Sequence, residues 1–116
     1  MENKTATQNV DGFYKVEFGT PRGHGFGVAT MKDGQLSGGD SSMYYKGTYS
    51  AEGNSFTAKI EIGTHSVVPG VTSVLGASQA TLAVSGTIEG TRMNGTGHSP
   101  QAPGVTLKFI LSRLPD

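Results

Sequence analysis

Cysteine is absent from this 116-residue chain, which excludes a disulfide framework and thiolate chemistry. Small secreted folds generally depend on such cross-links, so a cytoplasmic location is expected. No apolar run approaches the roughly 20 residues of a membrane-crossing helix. The opening Met1-Glu2-Asn3-Lys4-Thr5 lacks the apolar stretch of a signal peptide. An excess of either charge is also missing, with nine Lys and Arg against nine Asp and Glu. Proteins that grip a phosphate backbone do so with surplus Lys and Arg that displace counterions. Direct contact with DNA or RNA is therefore not expected, nor is a membrane partner. Helical periodicity is missing as well; no segment sustains it.

What the chain has in abundance is glycine, 18 of 116 residues. Glycine accumulates where a backbone turns often, and many turns in a short chain imply many short strands. Hydrophobic residues make up only 34%, enough for one modest core if nearly all of them are used. One domain is expected over residues 12–116, preceded by a polar, disordered leader over 1–11.

From Gly12 the chain alternates. Tyr14, Val16 and Phe18 share one face, with Lys15 and Glu17 on the other, the pattern of a half-buried strand. Thr20-Pro21-Arg22-Gly23 is a turn, and Gly25 to Met31 a second strand whose glycines admit a close neighbour. Asp33-Gly34 is a hairpin signal leading to a short strand from Leu36 to Asp40. Met43 to Ser50 is an aromatic strand, and Phe56 to Ile62 the most regular amphipathic one. Residues 63–78 break the rhythm with Pro, Gly and exposed-looking valines, as a lid or contact loop does. Alternation resumes over Ala80 to Ile88, Gly90 to Gly97, and Gly104 to Leu114. About eight strands at regular spacing imply an all-β fold, an antiparallel up-and-down barrel of the calycin or lipocalin kind. Closure removes exposed strand edges.

Catalytic signatures are hard to find. There is no Gly-x-Ser-x-Gly elbow. Ser41-Ser42 beside Asp40 suits either a hydrolase nucleophile with a distant His or a polar turn. His24, His65 and His98 lie far apart in sequence, in stretches that read as loops, without the close pairs of a metal motif. Arg22-Gly23-His24-Gly25-Phe26-Gly27 lacks the following helix that a phosphate-binding loop needs. No catalytic residue, metal or cofactor is assigned, and binding is expected in place of catalysis. Tyr44-Tyr45-Lys46-Gly47-Thr48-Tyr49 admits base stacking, yet alternation also places Tyr45 and Tyr49 in the core. An apolar ligand in the barrel would be lined by Tyr45, Tyr49, Phe56, Ile60, Leu82 and Phe109. Small residues such as Ala58, Ala83 and Gly86, read as facing inward, would leave it room.

The run from Met31-Lys32-Asp33-Gly34 through Gly38-Gly39-Asp40-Ser41 to Tyr44-Tyr45-Lys46-Gly47-Thr48-Tyr49, with the opening Gly12-Phe13-Tyr14-Lys15-Val16, resembles the GrlR family of negative regulators of type III secretion genes. The resemblance covers the first half well, and the second half through its Gly-Thr hairpin and closing strand. It implies a lipocalin-like bacterial barrel, often dimeric, that sequesters a helix-turn-helix transcription activator away from DNA. Family members carry an acidic Glu-Asp-Glu-Asp loop after the tyrosine strand; here the segment reads Ser50-Ala51-Glu52-Gly53-Asn54-Ser55, with one acid. A protein partner would be contacted by the polar tip Gly38, Gly39, Asp40 and Ser41 and by Val67, Val68, Val71, Val74 and Leu75 of the long loop.

Overall fold

The computed structural model describes residues 9–71 and 73–115. Eight strands follow one another: β1 (Gly12–Thr20), β2 (Gly23–Lys32), β3 (Gln35–Gly39), β4 (Met43–Glu52), β5 (Ser55–Thr64), β6 (Gln79–Glu89), β7 (Arg92–His98) and β8 (Leu107–Arg113). Each pairs antiparallel with its neighbour in sequence, and β8 returns to β1, closing the barrel. The described residues contain no helix, and none therefore long and apolar enough to cross a membrane.

Two kinds of connection give the barrel unlike ends. The lower end is made by two-residue hairpins: Asp33-Gly34 between β2 and β3, Gly53-Asn54 between β4 and β5, and Gly90-Thr91 between β6 and β7. Asp33 and Gly34 both have positive φ, 51° and 82°, the left-handed pair that matches the twist of the flanking strands. The upper end carries the longer connections, 40–42, 65–78 and 99–106, beside the tight Pro21-Arg22 turn.

The lower half is packed. Met31, Met93 and Phe56 have almost no exposed surface, and Tyr14, Ala51 and Leu111 fill in around them. The Tyr14 hydroxyl donates to the Val10 carbonyl at 2.8 Å, and the Tyr49 hydroxyl donates to Asp11 Oδ1 at 3.0 Å. Val10 is itself buried. Residues 9–11, expected to belong to a disordered leader, instead plug the lower end; the remainder of that leader lies outside the described residues.

Several strand limits differ from expectation. β2 begins at Gly23, so His24 stands on a strand, as does His98 at the end of β7. A side chain at Gly25 would touch the Phe18 ring at 3.0 Å, and one at Gly27 the Tyr45 hydroxyl at 2.6 Å. These glycines thus continue the strand while leaving room for two rings. β8 starts at Leu107, leaving Gly104 to Thr106 in the loop. Ala83, read as facing inward, is exposed between the buried Leu82 and Val84.

Candidate ligand-binding site

Above the Phe56–Phe109 ring contact (centroids 6.2 Å apart) the barrel is hollow. The cavity measures about 230 Å³. Its wall comes from alternate residues of several strands: Val16 and Phe18 on β1, Ala29 on β2, Tyr45 on β4, Ile60 and Ile62 on β5, Leu82 and Val84 on β6, and Leu107, Phe109 and Leu111 on β8. Alternation directs these side chains inward; closure of the sheet makes them face one another.

Polar groups gather at the upper end. Asp40 Oδ1 accepts from the backbone N–H of Ser42 at 2.9 Å and of Met43 at 2.8 Å, which holds the β3–β4 turn. Its Oδ2 accepts from the Tyr45 hydroxyl, and Tyr45 in turn meets Phe18 edge to face at 6.2 Å. Burial pushes the Tyr45 hydroxyl far above its ordinary value of 10.0, and the hydrogen bond to Asp40 and the charge of that carboxylate add to it. Burial raises Tyr14 and Tyr49 too. A tyrosine of the unfolded chain ionises near 10.0, so the unfolded state gives up protons first as pH rises. The stability these hydroxyls contribute is fully present below pH 10 and is lost as pH climbs through the raised folded-state values. Urea midpoints measured from about pH 8 to about pH 11 should fall on the alkaline side, and less steeply in Tyr45→Phe.

The long loop folds over this upper end. Leu75 is only 6% exposed and joins the core, and Val74 packs against it. Burying a leucine contributes roughly 1.5–3 kcal/mol, which holds the segment down. The Thr20 hydroxyl adds a hydrogen bond to the Val74 carbonyl at 2.6 Å. At the other end of the loop, the Ser42 carbonyl accepts from the N–H groups of His65 and Ser66. His65 Nε2 reaches the Asp40 carbonyl at 2.9 Å; a carbonyl only accepts, so Nε2 carries a proton. Val71, Ser73 and Val74 complete the cavity wall from above.

No family model matches the chain, and no curated protein matches it.

The residues singled out from sequence separate accordingly. Tyr45, Phe56, Ile60, Leu82 and Phe109 line the cavity; Tyr49 does not, because its hydroxyl is held by Asp11 and its ring lies 6.1 Å from Phe56 at the base. The loop expected as a contact surface divides. Val74 and Leu75 turn inward, Val68 is half-buried, and Val67 (92% exposed) and Val71 face solvent. Gly38 is pressed against Ala29 of β2, where a side chain would meet the Val28 carbonyl at 2.1 Å, and Gly39 lies against the Met43 carbonyl. Asp40 and Ser41 border the cavity. Asp40 thus works as a turn cap and as the cavity's carboxylate, a role not visible before the fold was known.

The three histidines all fall at the upper end, but each has its own neighbour. His24 stands edge to face against Phe26 at 6.1 Å, His65 bonds to Ser66 and Asp40, and His98 Nε2 lies 3.3 Å from the Thr106 hydroxyl. Among the described residues, no three His, Asp or Glu side chains converge as metal ligands. The Ser42 hydroxyl donates to the Ser66 carbonyl and not to a histidine. The aromatic strand likewise divides: Tyr45 faces the cavity, while Tyr44 covers Gly63, where a side chain would touch its ring.

Proposed function

We propose that this chain is a non-enzymatic binding barrel that holds a small, mostly apolar molecule in its interior. The cavity carries the reading. An apolar wall with a few polar groups at one end, beneath a loop that covers them, is the usual make-up of a small-molecule site. Its volume of about 230 Å³ exceeds the roughly 150 Å³ that accepts benzene. It falls short of the roughly 300–1,000 Å³ of larger ligand pockets. A short alkyl chain or one or two rings is the matching size.

A second reading is favoured by exposed apolar side chains at the same mouth. Phe26 (60% exposed) and Val71 border the cavity yet face solvent, and Val67 stands out almost entirely. These suit contact with a protein, as the GrlR resemblance implies: an anti-activator that sequesters a transcription regulator and does not touch nucleic acid itself. The single acid at Glu52 in the β4–β5 hairpin segment removes the charged handle that a basic activator would use, so the partner would be held mainly by apolar contacts. Native mass spectrometry of the protein purified from its own cells separates the two. A small-molecule mass excess that is lost on denaturation supports the carrier. A bare chain associated with a DNA-binding protein supports the regulator and removes the carrier from first place.

A further inference from the structure

Resting on the cavity reading and deepening it, we infer that the barrel selects its ligand by head group: an apolar molecule ending in a hydrogen-bond donor, a protonated amine above all, and not a carboxylate such as a fatty acid. The observation behind this is the placement of the Asp40 carboxylate in the polar end of an otherwise apolar cavity.

A carboxylate has about four lone-pair positions and only accepts. Three are taken, by the N–H groups of Ser42 and Met43 and by the Tyr45 hydroxyl. What remains on this cavity-lining side chain is acceptor capacity. Tyr45, having given its proton to Asp40, likewise offers lone pairs. The Ser42 hydroxyl has committed its proton to the Ser66 carbonyl. Asp40 and Tyr45 therefore offer lone pairs to a head group, while the Ser41 and Ser73 hydroxyls also line the cavity, Ser73 Oγ accepting from the Leu75 N–H.

Charge points the same way. Among the described lining residues there is no Lys or Arg; the charged or titratable ones besides Tyr45 are Asp40 and His24. His24 is exposed at the rim with its ring against Phe26. A fatty-acid carboxylate in the cavity would place a second negative charge beside the half-buried Asp40, where repulsion is screened less than between fully exposed charges. An ammonium would instead form a charge-assisted hydrogen bond while its chain lay among Ile60, Ile62 and Leu82.

The test uses three probes with one chain length, octylammonium, 1-octanol and octanoate, titrated calorimetrically into the full chain near neutral pH. Octylammonium is expected to bind at least about tenfold more tightly than octanoate, the effect of an opposite against a like charge at close range, with 1-octanol between them. Asp40→Asn keeps the oxygen that caps the β3–β4 turn and should erase the preference for octylammonium over octanoate. Tyr45→Phe keeps the carboxylate and should keep the preference, which guards against an Asp40 variant that fails to fold. Equal or tighter binding of octanoate overturns the inference and leaves the cavity reading standing. If none of the three binds, the cavity reading itself fails and the inference falls with it.

Discussion

Phe56→Ala is expected to lower stability by about 3–5 kcal/mol, the usual cost of emptying a buried aromatic position. Phe56 is 1% exposed. Its ring lies between Tyr49 at 6.1 Å and Phe109 at 6.2 Å, where the packed base of the barrel meets the cavity. Truncation would join a new void to the existing one, and the surrounding closed sheet has little freedom to collapse into it. Domains of this size have a total stability of roughly 5–15 kcal/mol, so a large share would go. The check is a urea titration, with the midpoint falling and the slope unchanged. A loss under about 1 kcal/mol would mean that the floor is not packed as described.

Leu82→Trp should have the opposite balance, with little effect on stability and a large effect on binding. Leu82 projects into the cavity from β6. In a filled core, such an enlargement costs about 1–3 kcal/mol through strain. Here the indole has space to occupy, so the cost should be smaller, with the melting temperature moving only a few degrees. Affinity for 1-octanol should drop at least about 100-fold, or about 2.7 kcal/mol, because protein then fills the ligand's volume. A variant that melts much lower and still binds 1-octanol normally would place the ligand elsewhere.

Much of the barrel could be read from alternation alone. Tyr14, Val16 and Phe18, and again Phe56, Ala58, Ile60 and Ile62, declare one inward face, and Asp33-Gly34 announces its own hairpin. Gly25 and Gly27 read as strand glycines that admit a close neighbour. Which neighbours they meet, the Phe18 ring and the Tyr45 hydroxyl, is known only once β1, β2 and β4 are brought together. Gly23 and His24, which read as turn and loop, belong to the strand as well. The plug at residues 9–11 depends on hydrogen bonds to Tyr14 and Tyr49 across the base of the barrel, which local polarity does not reveal.

The cavity was legible in part, for a related reason. Periodicity names the inward residues but not their height in the barrel. Tyr45 and Tyr49 share a face, yet one meets Asp40 at the mouth and the other Asp11 at the base. The valines of the long loop have no period at all. What separates Val67 from Leu75 is the course of the loop over the mouth, secured by the Thr20 hydroxyl on the Val74 carbonyl. Asp40 looked like one more turn residue because the same carboxylate both caps a turn and faces the interior.

A methyl-resolved NMR titration of the full chain with 1-octanol tests the hollow, ligand-accessible interior most directly. Saturable shifts are expected at the methyl groups of Ile60, Leu82, Val84 and Leu107, which line the cavity, while the solvent-facing Val67 stays unmoved. Silence at all four interior positions, or shifts confined to Val67 on the outer surface, would contradict a ligand-binding barrel.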